Sequence, residues 1–130
     1  MHALKRLPAT RIVATPAALD AADWPAGALV LRFAADEVWV NAAETAVALA
    51  ARVPDAHALV EPDGSFAGAW LAAETAAAFL ARACEWEPPA ARPAFAQGMV
   101  AGLAVKLWFE AERVLILVPA PYAAELEVLI

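Results

Sequence analysis

The sequence predicts an α+β protein built on antiparallel sheets, and three observations carry that expectation. Apolar residues alternate with polar ones over several short runs, the period of half-buried strands. Turn-forming residues punctuate those runs. Three times a strand-like run gives way to Ala-Ala-Glu and a short amphipathic segment, at Ala42-Ala43-Glu44, Ala72-Ala73-Glu74 and Ala123-Ala124-Glu125. The first two extend further, with Trp39-Val40 or Trp70-Leu71 upstream, Thr45-Ala46 or Thr75-Ala76 next, and Arg52 or Arg82 closing the helix. A repeated strand-to-helix unit reports architecture. It is either an internal duplication or a coincidence in an alanine-rich chain.

Taken in order, Arg11 to Thr15 is a strand, and Pro16 to Gly27 is a connection with one helical turn. Leu29, Leu31 and Phe33 alternate with Val30 and Arg32, Ala34-Ala35-Asp36-Glu37 is a tight turn, and Leu29 to Asn41 is therefore a hairpin. Asn41 is placed to cap the next helix, with Glu44 as its reciprocal partner, and Pro54 stops that helix. His57 to Glu61 is a strand, and Pro62-Asp63-Gly64-Ser65 turns it back into one whose Phe66, Gly68 and Trp70 share a face. Ala76, Phe79, Leu80 and Ala83 then recur at helical spacing.

Glu85 to Pro93 holds three prolines and is a loop. Gly98 and Gly102 mark a turn or bulge between Phe95 and Val105. Val105, Leu107 and Phe109 alternate with polar or aromatic neighbours, Glu110 to Arg113 is a charged hairpin tip, and Val114 to Val118 is apolar throughout, as a central strand would be. Pro119 and Pro121 end it, and Tyr122, Leu126 and Leu129 form the apolar side of a terminal helix.

At 130 residues the chain is expected to form one domain, residues 1–130, with pseudo-repeats at about 28–56 and 57–130. Hydrophobic residues reach 63%, but alanine supplies much of that total, so the mean hydropathy of +0.59 overstates the greasiness. No apolar run approaches the roughly 18 to 20 residues of a membrane helix. Met99 to Phe109 is short and carries Lys106, and Lys5, Arg6 and Pro8 are not followed by the apolar core of a secretory signal. A single Cys84 fits a reducing cytoplasm. The net charge of −6 opposes nucleic-acid binding, and Lys5, Arg6 and Arg11 are expected on a solvated strand edge.

Little in the chain points to catalysis. His2, His57 and Cys84 show no metal-ligand spacing. Cys84 lies beside Glu85, which opposes thiolate formation. Gly64-Ser65-Phe66-Ala67-Gly68 echoes a nucleophile elbow with the serine misplaced. Glu61-Pro62-Asp63 and Asp36-Glu37 lie at turns, where carboxylates are solvated. Trp39, Trp70 and Trp108 fall in strands and suit either a core, a flat pocket or a partner surface. No catalytic residue and no metal ligand is expected. Trp70, Glu61, Asp63 and Gln97 are the candidates for lining a ligand site.

One resemblance adds to this reading. Phe95-Ala96-Gln97-Gly98, Ala101-Gly102-Leu103-Ala104-Val105 and Leu115-Ile116-Leu117-Val118-Pro119-Ala120-Pro121-Tyr122-Ala123 resemble the gamma subunit of heterotetrameric sarcosine oxidase. More distantly they are similar to the folate-binding domain of the glycine cleavage aminomethyltransferase. Leu31 to Val40, His57 to Glu61 and Leu71 to Cys84 are similar to the earlier hairpin, middle strand and helix of that superfamily. The resemblance implies two pseudo-repeated, interlocked β-β-α-β subdomains with antiparallel sheets and three short helices, like a folate-binding domain. It implies a non-catalytic small subunit or binding and assembly module tied to amine oxidation and one-carbon metabolism. Its partner would be a flavoprotein oxidase subunit or another copy of itself, and tetrahydrofolate is the ligand that the resemblance suggests. The Asn-Asp-x-Gly and Tyr-x-Gly-Glu segments of the aminomethyltransferases are missing, and Gly64 to Trp70 replaces their Asp-x-Ser. The alternatives are a stand-alone folate-dependent aminomethyltransferase-like enzyme and a self-associating domain with no ligand.

Overall fold

A computed structural model describes residues 2–130. In chain order the elements are β1 (Lys5–Arg6), β2 (Ala9–Val13), α1 (Pro16–Ala21), β3 (Leu29–Ala34), β4 (Glu37–Asn41), α2 (Ala46–Ala50) and β5 (Leu59–Asp63). There follow β6 (Phe66–Ala72), α3 (Ala73–Ala83), β7 (Ala94–Val100), β8 (Leu103–Phe109), β9 (Arg113–Pro119), a 3-10 turn (Ala120–Tyr122) and α4 (Ala123–Glu127). The fold is α+β, with two antiparallel sheets and short helices. The chain divides into two compact units, one of residues 8–64 and one that joins the segment ending at Leu7 to Ser65–Ile130.

In the unit of residues 8–64 the strands lie in the order β3-β4-β2-β5. Strand β2 is flanked on both sides, so Ile12 sits opposite Val38 and Val60 at once. Ile12, Val38 and Val40 pack with Leu19, Leu49 and Val53 from the helical side. The helices are too short to persist alone and owe their existence to this packing. Thr15 starts α1, its hydroxyl accepting from the Ala18 N–H at 3.2 Å, and Pro16 presets the first turn. This fourth helix exceeds the three expected, because Thr15-Pro16 is a stronger start signal than a single turn needs.

Four residues of this unit depart from expectation. Asn41 does not cap α2. It closes β4, and its Nδ2 donates to the Pro8 carbonyl at 2.7 Å, while Thr45 caps the helix by accepting from the Ala48 N–H at 3.2 Å. Glu44 is not a capping-box partner either, because the Arg52 guanidinium grips both its oxygens, from Nε at 2.9 Å and Nη2 at 2.6 Å. Pro62 belongs to a strand, not a turn. It faces Thr10 in β5, an edge strand, where a missing N–H costs nothing on the solvent side. Arg11 likewise lies on a central strand, held between Glu37 at 2.9 Å and Glu61 at 3.1 Å.

The second unit carries the order β1-β6-β9-β8-β7. Strand β9 is central, and every residue from Val114 to Val118 is buried. Val114, Ile116 and Val118 face a core completed by Ala76, Phe79 and Leu80 of α3 and Leu126 of α4. Of the terminal helix's expected apolar side, only Leu126 is buried; Tyr122 and Leu129 are exposed. Ala101 and Gly102, with φ of 52° and 80°, make the left-handed turn between β7 and β8. Gly68 lets β6 lie close to β9: a Cβ there would lie 2.6 Å from Leu117 Cδ2 and 2.7 Å from the Ile116 carbonyl oxygen. Strands β5 and β6 are not a hairpin, since β5 pairs with β2 and β6 with β1 and β9.

The two units share a plan: a strand (β2 or β6), a helix (α1 or α3), a hairpin (β3–β4 or β8–β9) and a second helix (α2 or α4). Beside β2 the outer strand is β5, which follows in sequence. Beside β6 that place is taken by β1, from the start of the chain. The sequence repeat at 28–56 and 57–130 does not coincide with these units. Ala42 to Ala46 and Ala72 to Ala76 are both Ala-Ala-Glu-Thr-Ala, yet α2 begins at Ala46 and α3 at Ala73. The second helix starts early because the Ala73 N–H donates to the Glu112 carbonyl at 3.0 Å.

Gly68→Ala should destabilise the protein by about 1–3 kcal/mol, since the clash is with backbone as well as a buried side chain; urea denaturation reads it directly. A second expectation concerns acid. The Arg52 hydrogen bond holds the Glu44 carboxyl below its ordinary 4.5, and the N–H groups of Thr15 and His57 hold Asp55 below 3.8. Both folded values are depressed, so their stabilisation is complete above the ordinary values and is lost as pH falls through the folded ones. The urea midpoint should be level above about pH 5 and decline below it, and Asp55→Asn should flatten part of that decline.

Candidate functional site

The four residues expected to line a site fall in both units. Glu61 and Asp63 are in β5, Glu61 exposed and paired with Arg11. Trp70 and Gln97 are in the other unit, on β6 and β7, two strands that are separated in the sheet by β9 and β8. Register places both on the sheet face opposite the helices, where Trp70 aligns with Leu115, Trp108 and Phe95, and Gln97 with Lys106, Leu117 and Gly68.

That face carries ordered polar chemistry. The Arg113 guanidinium lies over the Trp70 ring at 3.7 Å from its centroid, and its Nε donates to Glu110 at 2.9 Å. Glu110 also accepts from the Trp108 indole at 3.0 Å. The Arg113 bond, and secondarily the Trp108 bond, holds the Glu110 carboxyl below its ordinary range. Lys106 donates to Gln97 at 2.6 Å and lies over the Phe66 ring. Each cation here already meets an aromatic face and an acceptor. In the unit of residues 8–64, Trp39 occupies the corresponding non-helical face; it is buried, stacks on Phe33, and its indole N–H has no acceptor among the described residues. An unmet buried donor costs about 1–3 kcal/mol.

A concavity lies elsewhere, between α3 and the proline loop that follows it, with a volume of about 490 Å³. Its helix wall is Ala73, Ala77 and Ala81, recurring every four residues along one flank of α3. Its floor is Leu80, Phe109 and Val114, all buried. The opposite wall is Trp86 with Pro88 and Pro89. Alanine and proline leave these walls flat, and neither brings a side-chain polar group. Cys84 lines the cavity too, with its thiol donating to the Trp86 carbonyl at 3.2 Å.

Trp86 is fixed by two contacts. Its indole Nε1 donates to the Met99 carbonyl at 2.8 Å, and the ring lies against Gly98, where a Cβ would stand 3.0 Å from it. Gly98 is thus the seat of an indole, not a bulge, and it pairs regularly with Val105. Arg92 lies over the Phe109 ring at 4.6 Å, with Nη1 donating to the Pro89 carbonyl at 2.7 Å and the Ala91 carbonyl at 2.9 Å. Glu87 and Arg92 are the charged residues lining the cavity. Among the described residues no three His, Cys, Asp or Glu side chains converge as a metal site, and no helix is long and apolar enough to cross a membrane.

Sequence reasoning missed this cavity because it treated Glu85 to Pro93 as a connection. The available signal was a tryptophan, three prolines and an arginine following a helix whose outer flank is alanine. No protein family, curated protein or solved structure matches the chain.

Gly98→Val should displace the Trp86 indole and break its bond to Met99. The expected result is a red-shifted emission that is absent in a Trp86→Phe background, with a stability loss of about 1–2 kcal/mol.

Proposed function

We propose that this chain is a non-catalytic ligand-binding module that serves as a small accessory subunit of an amine-oxidising flavoprotein in the cytoplasm. The observation that carries the binding half is the cavity of about 490 Å³ beside α3. Its size lies within the roughly 300–1,000 Å³ of small-molecule sites, and apolar walls with few polar groups are the usual composition of such sites. The subunit half rests on the resemblance of Phe95 to Ala123 to sarcosine oxidase gamma subunits. Support for an inserted, two-sheet plan comes from β1, which joins the sheet of the C-terminal part.

The two halves are tested separately. Purified from its native source under mild conditions, the protein should co-elute with a flavin-absorbing oxidase in fixed stoichiometry. A protein running alone, with no flavin absorbance in any associated fraction, removes the subunit role. Small apolar ligands should perturb the Trp86 indole resonance in the isolated chain, and the filling substitution Ala77→Leu should abolish that perturbation. Ligands that leave Trp86 unmoved remove the binding role.

A further inference from the structure

We propose that the cavity beside α3 takes a flat, apolar monocarboxylate, with Arg92 holding the carboxylate and Glu87 rejecting a second negative charge. This rests on the binding-module reading and goes beyond it by naming the ligand's chemistry.

Most of the cavity's polar groups are already committed. The Trp86 indole N–H is committed to Met99, and the Cys84 thiol to the Trp86 carbonyl. Arg92 is only partly committed. Nη1 spends its donors on the carbonyls of Pro89 and Ala91, and the guanidinium plane rests on Phe109. Nε and Nη2 have no acceptor among the described residues. Those two donors form the side-on edge of a guanidinium, the pair that grips both oxygens of a carboxylate in parallel. Arg92 is exposed, but its contacts with Pro89, Ala91 and Phe109 already restrict it, so it loses less freedom on binding than an unanchored cation.

Shape sets the rest of the ligand. Ala73, Ala77 and Ala81 make one wall without branches, and Pro88 and Pro89 make another. A slot between two such walls accepts a planar ring more readily than a bulky aliphatic one. The Phe109 and Leu80 floor requires that ring to be apolar. Glu87 lines the same cavity with no ion-pair partner among the described residues. Beside an apolar ring it repels any second anionic substituent, and so selects monoanions over dianions.

The experiment uses the full chain and three probes of one ring size: 1-naphthoate, the neutral 1-naphthalenemethanol and the dianion 1,4-naphthalenedicarboxylate. Titration is followed by calorimetry and by the Trp86 indole resonance, assigned with Trp86→Phe. 1-Naphthoate should bind and shift that resonance, with the neutral analogue and the dianion each at least about tenfold weaker. Arg92→Gln should remove the preference for naphthoate over the alcohol. Arg92→Lys, which keeps the charge and loses the fork, should remove most of it, and circular dichroism checks that both variants fold. Glu87→Gln should bring the dianion's affinity up toward that of the monoanion. Equal binding of naphthoate and the alcohol, or a preference that survives in both Arg92 variants, overturns the carboxylate assignment while the cavity remains a binding site. No Trp86 shift with any probe overturns the assignment and the binding-module reading together.

Discussion

Strand β9 carries five consecutive apolar residues into the middle of a sheet, with β6 on one side and β8 on the other. Its Val114, Ile116 and Val118 hold the helices, and Leu115 and Leu117 on the reverse face are equally dry. Burial on both faces is unusual for an antiparallel strand, which normally keeps one side wet. Burial on both faces does not by itself fix the register, because a one-residue slip would exchange two fully apolar faces with no polar residue to penalise the error. What penalises it instead is size. At Gly68 the Leu117 side chain and the Ile116 carbonyl occupy the space of a Cβ, so a slip that brought Ala67 or Ala69 to that place would clash.

The same dependence reaches the cavity. Phe109 and Val114 are paired across β8 and β9, and they form its floor as well as part of the core. The helix wall stands on Phe79 and Leu80, which are in that core as well. The loop wall is tied down by Trp86 on Gly98 and by Arg92 on Phe109. A small side chain at one strand position and an aromatic one at another thus convert a proline-rich connection into a rigid wall. The concavity is a product of the sheet's regular pairing.

Much of this was legible in the chain. The Leu29 to Asn41 hairpin, the α3 stripe of Ala76, Phe79 and Leu80, the buried run at 114–118 and the charged tip at 110–113 all follow from periodicity and turn chemistry. What failed was whatever depended on a distant partner. Ala-Ala-Glu-Thr-Ala begins a helix at once after β6 and only after a delay beyond β4, since Glu112 satisfies one backbone and Arg52 captures the glutamate of the other. Pro62 looked like a turn because nothing local says that Thr10 lies beside it. The candidate site was missed for the same reason. One wall is the Ala73, Ala77 and Ala81 flank of α3, and alanine at a helix surface gives no sign of what stands opposite. Of the residues expected to line a site, Trp70 and Gln97 do share a sheet face, but their cation neighbours already occupy them.

The pairing of β1 with β6 has a bearing on how this chain can be rebuilt. The Leu7 N–H donates to the Phe66 carbonyl at 3.1 Å, so the path leaves one sheet and re-enters it through a single doorway. Everything between hangs from two strand ends that touch. A splice of a few residues across that gap would span it without stretching, and the intervening 57 positions from Pro8 to Gly64 form a cassette. Evolution or a designer can exchange such a cassette while leaving the host sheet's hydrogen-bond ladder unbroken.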